Sequence, residues 1–171
     1  RLDAAGAHVY PGLIDPLSNI GLTEIDSVRA TLDSRETGTL NPNVRAAVAF
    51  NPDSELIPVA RANGILMGVS APDGGLISGR SSLMLMDGWT WEDMTLKADV
   101  GMHINWPRSG SGGGAGSGGS DVELRQLERI LDQTRRYRSA MQSDNPPKFD
   151  ARLAAMVPVI EGQLPVIVSA T

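Results

Sequence analysis

The chain has 171 residues, 41% of them hydrophobic but only 4% aromatic, with seven Met and no Cys. That is enough for one core packed from aliphatic side chains, and it excludes a disulfide framework or a thiolate metal site. A formal charge of −5, with Lys and Arg scattered apart from Arg135, Arg136 and Arg138, excludes an extended basic track for nucleic acid.

No apolar run approaches the roughly 20 residues of a membrane-spanning helix, so a soluble chain without a membrane partner is expected, cytoplasmic or periplasmic. Arg1 opens no leader-like segment, and any signal peptide is expected upstream. In chain order, His8 to Asp15 reads as a short buried strand carrying Val9, Leu13 and Ile14, released by Pro16. Leu17 to Pro52 reads as a long decorated loop with a short amphipathic segment over Val44 to Phe50. Asp53 or Ser54 can cap a helix through Leu56, Ile57, Val59 and Ala60, ended at Asn63-Gly64, where glycine suits a left-handed C-cap. A strand over Ile65 to Ala71 follows at once, an order that predicts parallel βαβ construction and not a hairpin meander.

Pro72 to Gly75 breaks that strand, Ser82 to Met86 is a second apolar run, Trp89 to Asp93 a turn or helical stub, and Val100 to Trp106 another strand. Ser109 to Ser120 holds only Ser, Gly and Ala and predicts a flexible tether, either a natural insert or an artificial joint. It divides the chain into 1–108, 109–120 and 121–171. Ser120 to Glu123 has the form of a capping box, and the helix it opens carries Leu124, Leu127, Leu131, Thr134 and Met141 on one face, with Asp132 facing Arg136. Asp150 can cap a second helix, kinked at Pro158 and ended by Gly162, before a buried strand over Leu164 to Ala170.

The run Val9-Tyr10-Pro11-Gly12-Leu13-Ile14-Asp15-Pro16 resembles the opening barrel strand of the amidohydrolase superfamily, whose pattern goes on as His-x-His. Asn51 to Ile65, Gly74 to Gly79 and Asp87 to Met94 resemble the imidazolonepropionase-like branch, so the likeness covers most of residues 2–107 and 150–170. It implies an α/β fold, part of a TIM-type (β/α)₈ barrel, since a whole barrel takes about 250 residues. It implies hydrolysis of carbon–nitrogen bonds in non-peptide substrates such as cyclic amides, with zinc or a related divalent ion as the family's cofactor and a small molecule as substrate.

The resemblance also places Leu17 and Asn19 where the two ligand histidines stand, and Ser169 where a later strand ends in a third. Leu17 has no donor atom and Asn19 only a neutral carbonyl oxygen, so no metal ligand is assigned and the catalytic residues stay open. Hence the alternative of a non-catalytic, metal-free barrel for ligand binding or assembly, and a further one of a single hard ion held by Asp15 and Glu24.

Four residues are candidate substrate contacts: Ser78, Arg80 and Ser81, read as a loop at the C-terminal end of a strand, and His103, which alternates with Met102 and Ile104. The competing readings are a glycine-driven turn for the first three and a hydrogen-bonded structural histidine for His103. His8 is assigned to the bottom of the barrel, Lys97 to the surface, and Trp89 and Trp91 to packing.

Overall fold

A computed structural model describes residue 3 and residues 5–107 and 117–170, those of 117–120 in backbone only. The elements are β1 (Leu13–Ser18), α1 (Ala46–Ala49), α2 (Leu56–Ala62), β2 (Ile65–Ser70), β3 (Ile77–Leu85), α3 (Trp91–Met94), β4 (Thr95–Asn105), α4 (Ser117–Met141), α5 (Ala151–Ile160) and β5 (Val166–Ser169). The strands form one curled, half-barrel sheet in the order β1-β2-β3-β4-β5. β1 is parallel to β2, and β4 to β5, while β3 is antiparallel to both its neighbours. Thus β1, β2, β4 and β5 all run one way.

The expected parallel βαβ unit is present in β1-α2-β2, but β2-β3-β4 is the meander that the sequence reading had set aside. The glycines misled that reading. They stand at the turn before β3 and within it, and Ser78, Arg80 and Ser81 lie in the strand and not in a loop. A full TIM barrel needs eight parallel strands, so the chain forms a mixed α/β half-barrel.

Two aliphatic cores flank β3. One joins Leu76, Ile77, Met102 and Ile104 to Leu127 and Ile130 of α4, Met156 of α5, and Leu164. The other joins Met84, Met86 and Met94 to Ala47, Phe50 and Ile57. Five methionines, 84, 86, 94, 102 and 156, are at most 1% exposed, the unbranched thioether filling space that rings would fill elsewhere.

Helix ends follow local chemistry. Asp150 Oδ1 accepts the backbone N–H groups of Arg152 and Leu153 at 2.9 and 3.1 Å, and Gly64 closes α2 with φ +85°. Pro158 stands inside α5, two residues before its end. Most of the predicted tether lies outside the described residues, and α4 is already formed at Ser117, which puts Ser120 inside the helix and not at its cap. The buried face of α4 is Leu127, Ile130, Thr134 and Tyr137, with Met141 exposed, and Asp132 pairs with Arg135, not Arg136, at 2.7 Å.

The strand expected over residues 8–15 runs instead over Leu13–Ser18, and it is not buried. It is an edge strand, which is why Pro16 can sit within it without costing a ladder hydrogen bond. At the other edge, Leu164 is buried but Val166 and Val168 of β5 are exposed. Trp89 is exposed too, so only Trp91 packs, against the methionine core.

Candidate functional site

On β4 the side chains alternate. Met102 and Ile104 enter the core beneath α4 and α5, while His103 and Asn105 face a cavity of about 200 Å³. Parallel pairing sets Ser169 of β5 beside Asn105, and Ser18 at the end of β1 beside Ser70 of β2. The cavity therefore lies at the C-terminal ends of the four strands that run together. Its other walls are Leu17, Asn19, Ser34, Ala71, Pro72 and Asp73.

The loop after β1 covers this end. Ser70 donates from Oγ to the Ile20 carbonyl at 2.9 Å, the backbone N–H of Asp73 donates to Ser34 O at 2.7 Å, and Arg35 pairs with Asp73 at 2.7 Å. The Arg35 hydrogen bond holds the Asp73 carboxyl below the ordinary carboxylate range, and Asp73 in turn raises Arg35. Both partners are more than half exposed, so the pair positions the loop more than it stabilises the fold. A wider hollow of about 500 Å³ shares Asn19, Ser34 and Asp73 with the cavity and adds Asp26, Arg29 and Glu36.

His103 is 4% exposed, and its Nε2 is buried without a hydrogen-bond partner. Burial pushes its pKa below the usual imidazole value, because the charged form loses water. On the β1 side, Ser18 Oγ is likewise buried and unpartnered. Asn105 commits its amide nitrogen to the Gly75 carbonyl at 2.8 Å and to Ser78 Oγ at 3.1 Å.

Of the four candidate contacts, only His103 lines the cavity. Ser78 reaches it through Asn105. Ser81 donates from its buried hydroxyl to Gly101 O at 3.4 Å. Arg80 shares Asp99 Oδ2 with Arg45, at 3.1 and 3.0 Å. Burial lowers the Arg80 pKa most, Asp99 opposing this and Arg45 adding to it. Sequence reading passed over Asn105, Ser18, Ser34 and Asp73. The spacing of His103 and Asn105 on one strand was a usable signal for the first. The meeting of Arg35 and Asp73 had none.

Leu17, Asn19 and Ser169, singled out by resemblance from opposite ends of the chain, line this one cavity. Their atoms do not suit the family's metal. A zinc site takes three or four nitrogen, sulfur or carboxylate ligands, and this wall offers one imidazole and one carboxylate already paired with Arg35. Among the described residues no group of three or more His, Asp or Glu gathers. Asp15 and Glu24 do not form the hard-ion site considered above: Asp15 accepts from the Leu17 N–H, and Glu24 from Asn51.

A second hollow, of about 280 Å³, is lined by Ser54, Ile57, Arg61 and Asp87 beside the start of β4, at the other end of that strand from His103. Exposed His8 lies in the segment before β1 and Lys97 is exposed, both away from the cavity.

No protein-family model matches the sequence, and no curated protein matches it. Among solved structures, the crystal structure of an amidohydrolase from Thermotoga maritima MSB8 is similar, with a TM-score of 0.76 at 18% identity over 98% of this chain. The chain spans 49% of that protein's length, and at this identity the likeness establishes the fold alone.

Proposed function

We propose that this half-barrel belongs to a hydrolase acting on carbon–nitrogen bonds of small non-peptide amides, cyclic amides included, with the strand-end cavity as its substrate pocket. One observation carries the reading. Leu17 with Asn19, His103 and Ser169, from three segments far apart in sequence, meet in one cavity at the C-terminal ends of co-directional strands, where barrels of this kind hold substrates. The similar crystal structure is named an amidohydrolase.

In this reading a water adds to the amide carbonyl while neutral His103 takes its proton. The carbon–nitrogen bond then breaks and the proton passes to the leaving nitrogen. Burial, which lowers the His103 pKa, keeps the imidazole in the neutral form that a general base needs at neutral pH. Ser78, Arg80 and Ser81 support the wall from β3, Ser78 through Asn105.

The second reading, a non-catalytic barrel that binds a ligand, is favoured by the absence of histidine at positions 17, 19 and 169. Ring opening of a panel of cyclic amides, followed by the appearance of the product carboxylate, separates the two. The hydrolase reading expects turnover that falls at least about a hundredfold in His103→Gln, the scale of a lost general base. Binding without turnover across the panel would leave the ligand-binding reading.

A further inference from the structure

A half-barrel has two open margins. Among the described residues β1 and β5 end the sheet on either side, so each leaves backbone N–H and C=O groups without a ladder partner. On β5 the pairing shows which groups these are. The Met102 and Trp106 N–H groups donate to Pro165 O and Ser169 O, so the alternate residues Val166 and Val168 turn their backbone groups outwards.

Both margins are apolar. Tyr10, Leu13, Ile14 and Leu17 on or just before β1, and Val166 and Val168 on β5, are each at least 40% exposed. One charge, Asp15, lies within Leu13–Ser18, and none within Val166–Ser169. Exposed apolar surface of this kind marks a place where another surface packs.

Direction, charge and area choose what packs there. Because β1 and β5 run the same way, a two-fold axis along the half-barrel lays β1 of one copy parallel to β5 of the other and makes both seams at once. The lone carboxylate then faces an uncharged strand. Two β1 edges paired with each other would instead set both Asp15 carboxylates on one short seam, which like charges disfavour, and would leave β5 open. Side chains of this size, about half exposed, leave on the order of 100 Å² each. The two seams together would bury on the order of 1,200 Å², the lower end of the about 1,200–2,000 Å² of stable interfaces.

We infer that two copies of this chain close on each other, β1 of each against β5 of the other, into one barrel whose strand-end cavities share an interior. Leu17 of one copy then stands beside Ser169 of the other, since both lie near the C-terminal ends of their strands and line the cavity. Each cavity thus takes part of its wall from the second copy. An interface of this size sets association in the micromolar range, and the dilute single chain keeps its edges open. None of this depends on what the cavity binds or whether it hydrolyses it.

The chain has no Cys, so one introduced thiol marks one edge. Sedimentation equilibrium of the 171-residue chain should give 18.1 kDa when dilute, and twice that at hundreds of micromolar, with no larger species. Ile14→Cys and Val168→Cys, both at exposed positions, are then mixed at the higher concentration and treated with a short bismaleimide. The expected product joins one chain of each variant, with little linking in either variant alone. Val168→Asp puts a charge into the seam and should weaken association at least about tenfold, with the far-ultraviolet circular dichroism of the dilute chain unchanged.

A single chain at every concentration, a mass that climbs past two chains, or efficient linking of Ile14→Cys to itself would each overturn the inference. Association untouched by Val168→Asp would do the same. Should that variant fold poorly, the mass and the cross-link still decide.

Discussion

β4 and β1 belong to one sheet and carry similar apolar runs, yet they meet opposite surroundings. Met102 and Ile104 on β4 are 0% and 5% exposed under α4 and α5, whereas Leu13, Ile14 and Leu17 on β1 are 61%, 56% and 53% exposed. The difference comes from what covers each strand and not from its composition. β4 has a strand on either side and two helices across one face. Among the described residues β1 has a neighbour only in β2. The candidate cavity sits between these regimes, with a rigid wall from β4 and a second wall from β1 that is held mainly by its loop.

The sharpest way to break this comparison is to remove the same kind of side chain from both sides. Met102→Ala empties a fully buried position in the core beneath α4, and a loss of about 2–5 kcal/mol is expected from urea unfolding of the folded chain. A loss near zero would mean that α4 does not seal this face. Next in size, Gly79→Ala tests β3, where Gly79 pairs with His103 of β4. Gly79 has φ +132°, and a Cβ there would lie 2.9 Å from the Val44 carbonyl oxygen. A cost of about 1–3 kcal/mol is expected in the same measurement.

Gly79 also marks where sequence reasoning stopped. The alternation of Met102, His103 and Ile104 was legible because side-chain direction in a strand is fixed by the local chain. So were the Asp150 cap and the Gly64 terminus, both settled within four residues. The glycine-rich run before Ser82 was not, since a positive φ fits a turn as well as a close approach between β3 and the segment around Val44. The burial of β1 was misread for the same kind of reason. Nothing within residues 8–18 encodes which strand will lie beside them. At the site, resemblance aligned Leu17, Asn19 and Ser169 with one another's neighbourhood, but the Arg35–Asp73 clamp joins residues 38 apart in sequence and has no local signature.

His103 gives a pH test of the β4 wall. Its folded pKa lies below the ordinary imidazole value because of burial, so between the two values the unfolded chain binds more protons than the folded one. Stability should therefore be level above about pH 6.5 and fall on acidification through the folded value. Asp73 is the other titratable group on the wall, and its lowered pKa keeps it ionised through this window. Chemical denaturation at a series of pH values should show a shallower loss below pH about 6.5 in His103→Gln than in the unsubstituted chain. Parallel curves would place His103 in contact with water.

The smallest effect is expected at the edge. Leu13→Ala removes a side chain already 61% exposed, from a strand with hydrogen bonds on one side only, so the change in unfolding free energy should stay within about 0.5 kcal/mol. Its value lies in the contrast with Met102→Ala, because each removes one aliphatic side chain beyond Cβ. Leu13, Leu66 and Tyr10 line one open apolar trough at the start of β1 and β2, and exposed apolar surface of that kind marks a place where another surface packs. If Leu13→Ala costs as much as Met102→Ala, the trough is filled in solution and β1 is no free edge. If it costs almost nothing, apolar sequence on this strand contributes little to the stability of the chain as it stands, and the fold is held by β3, β4 and the helices behind them.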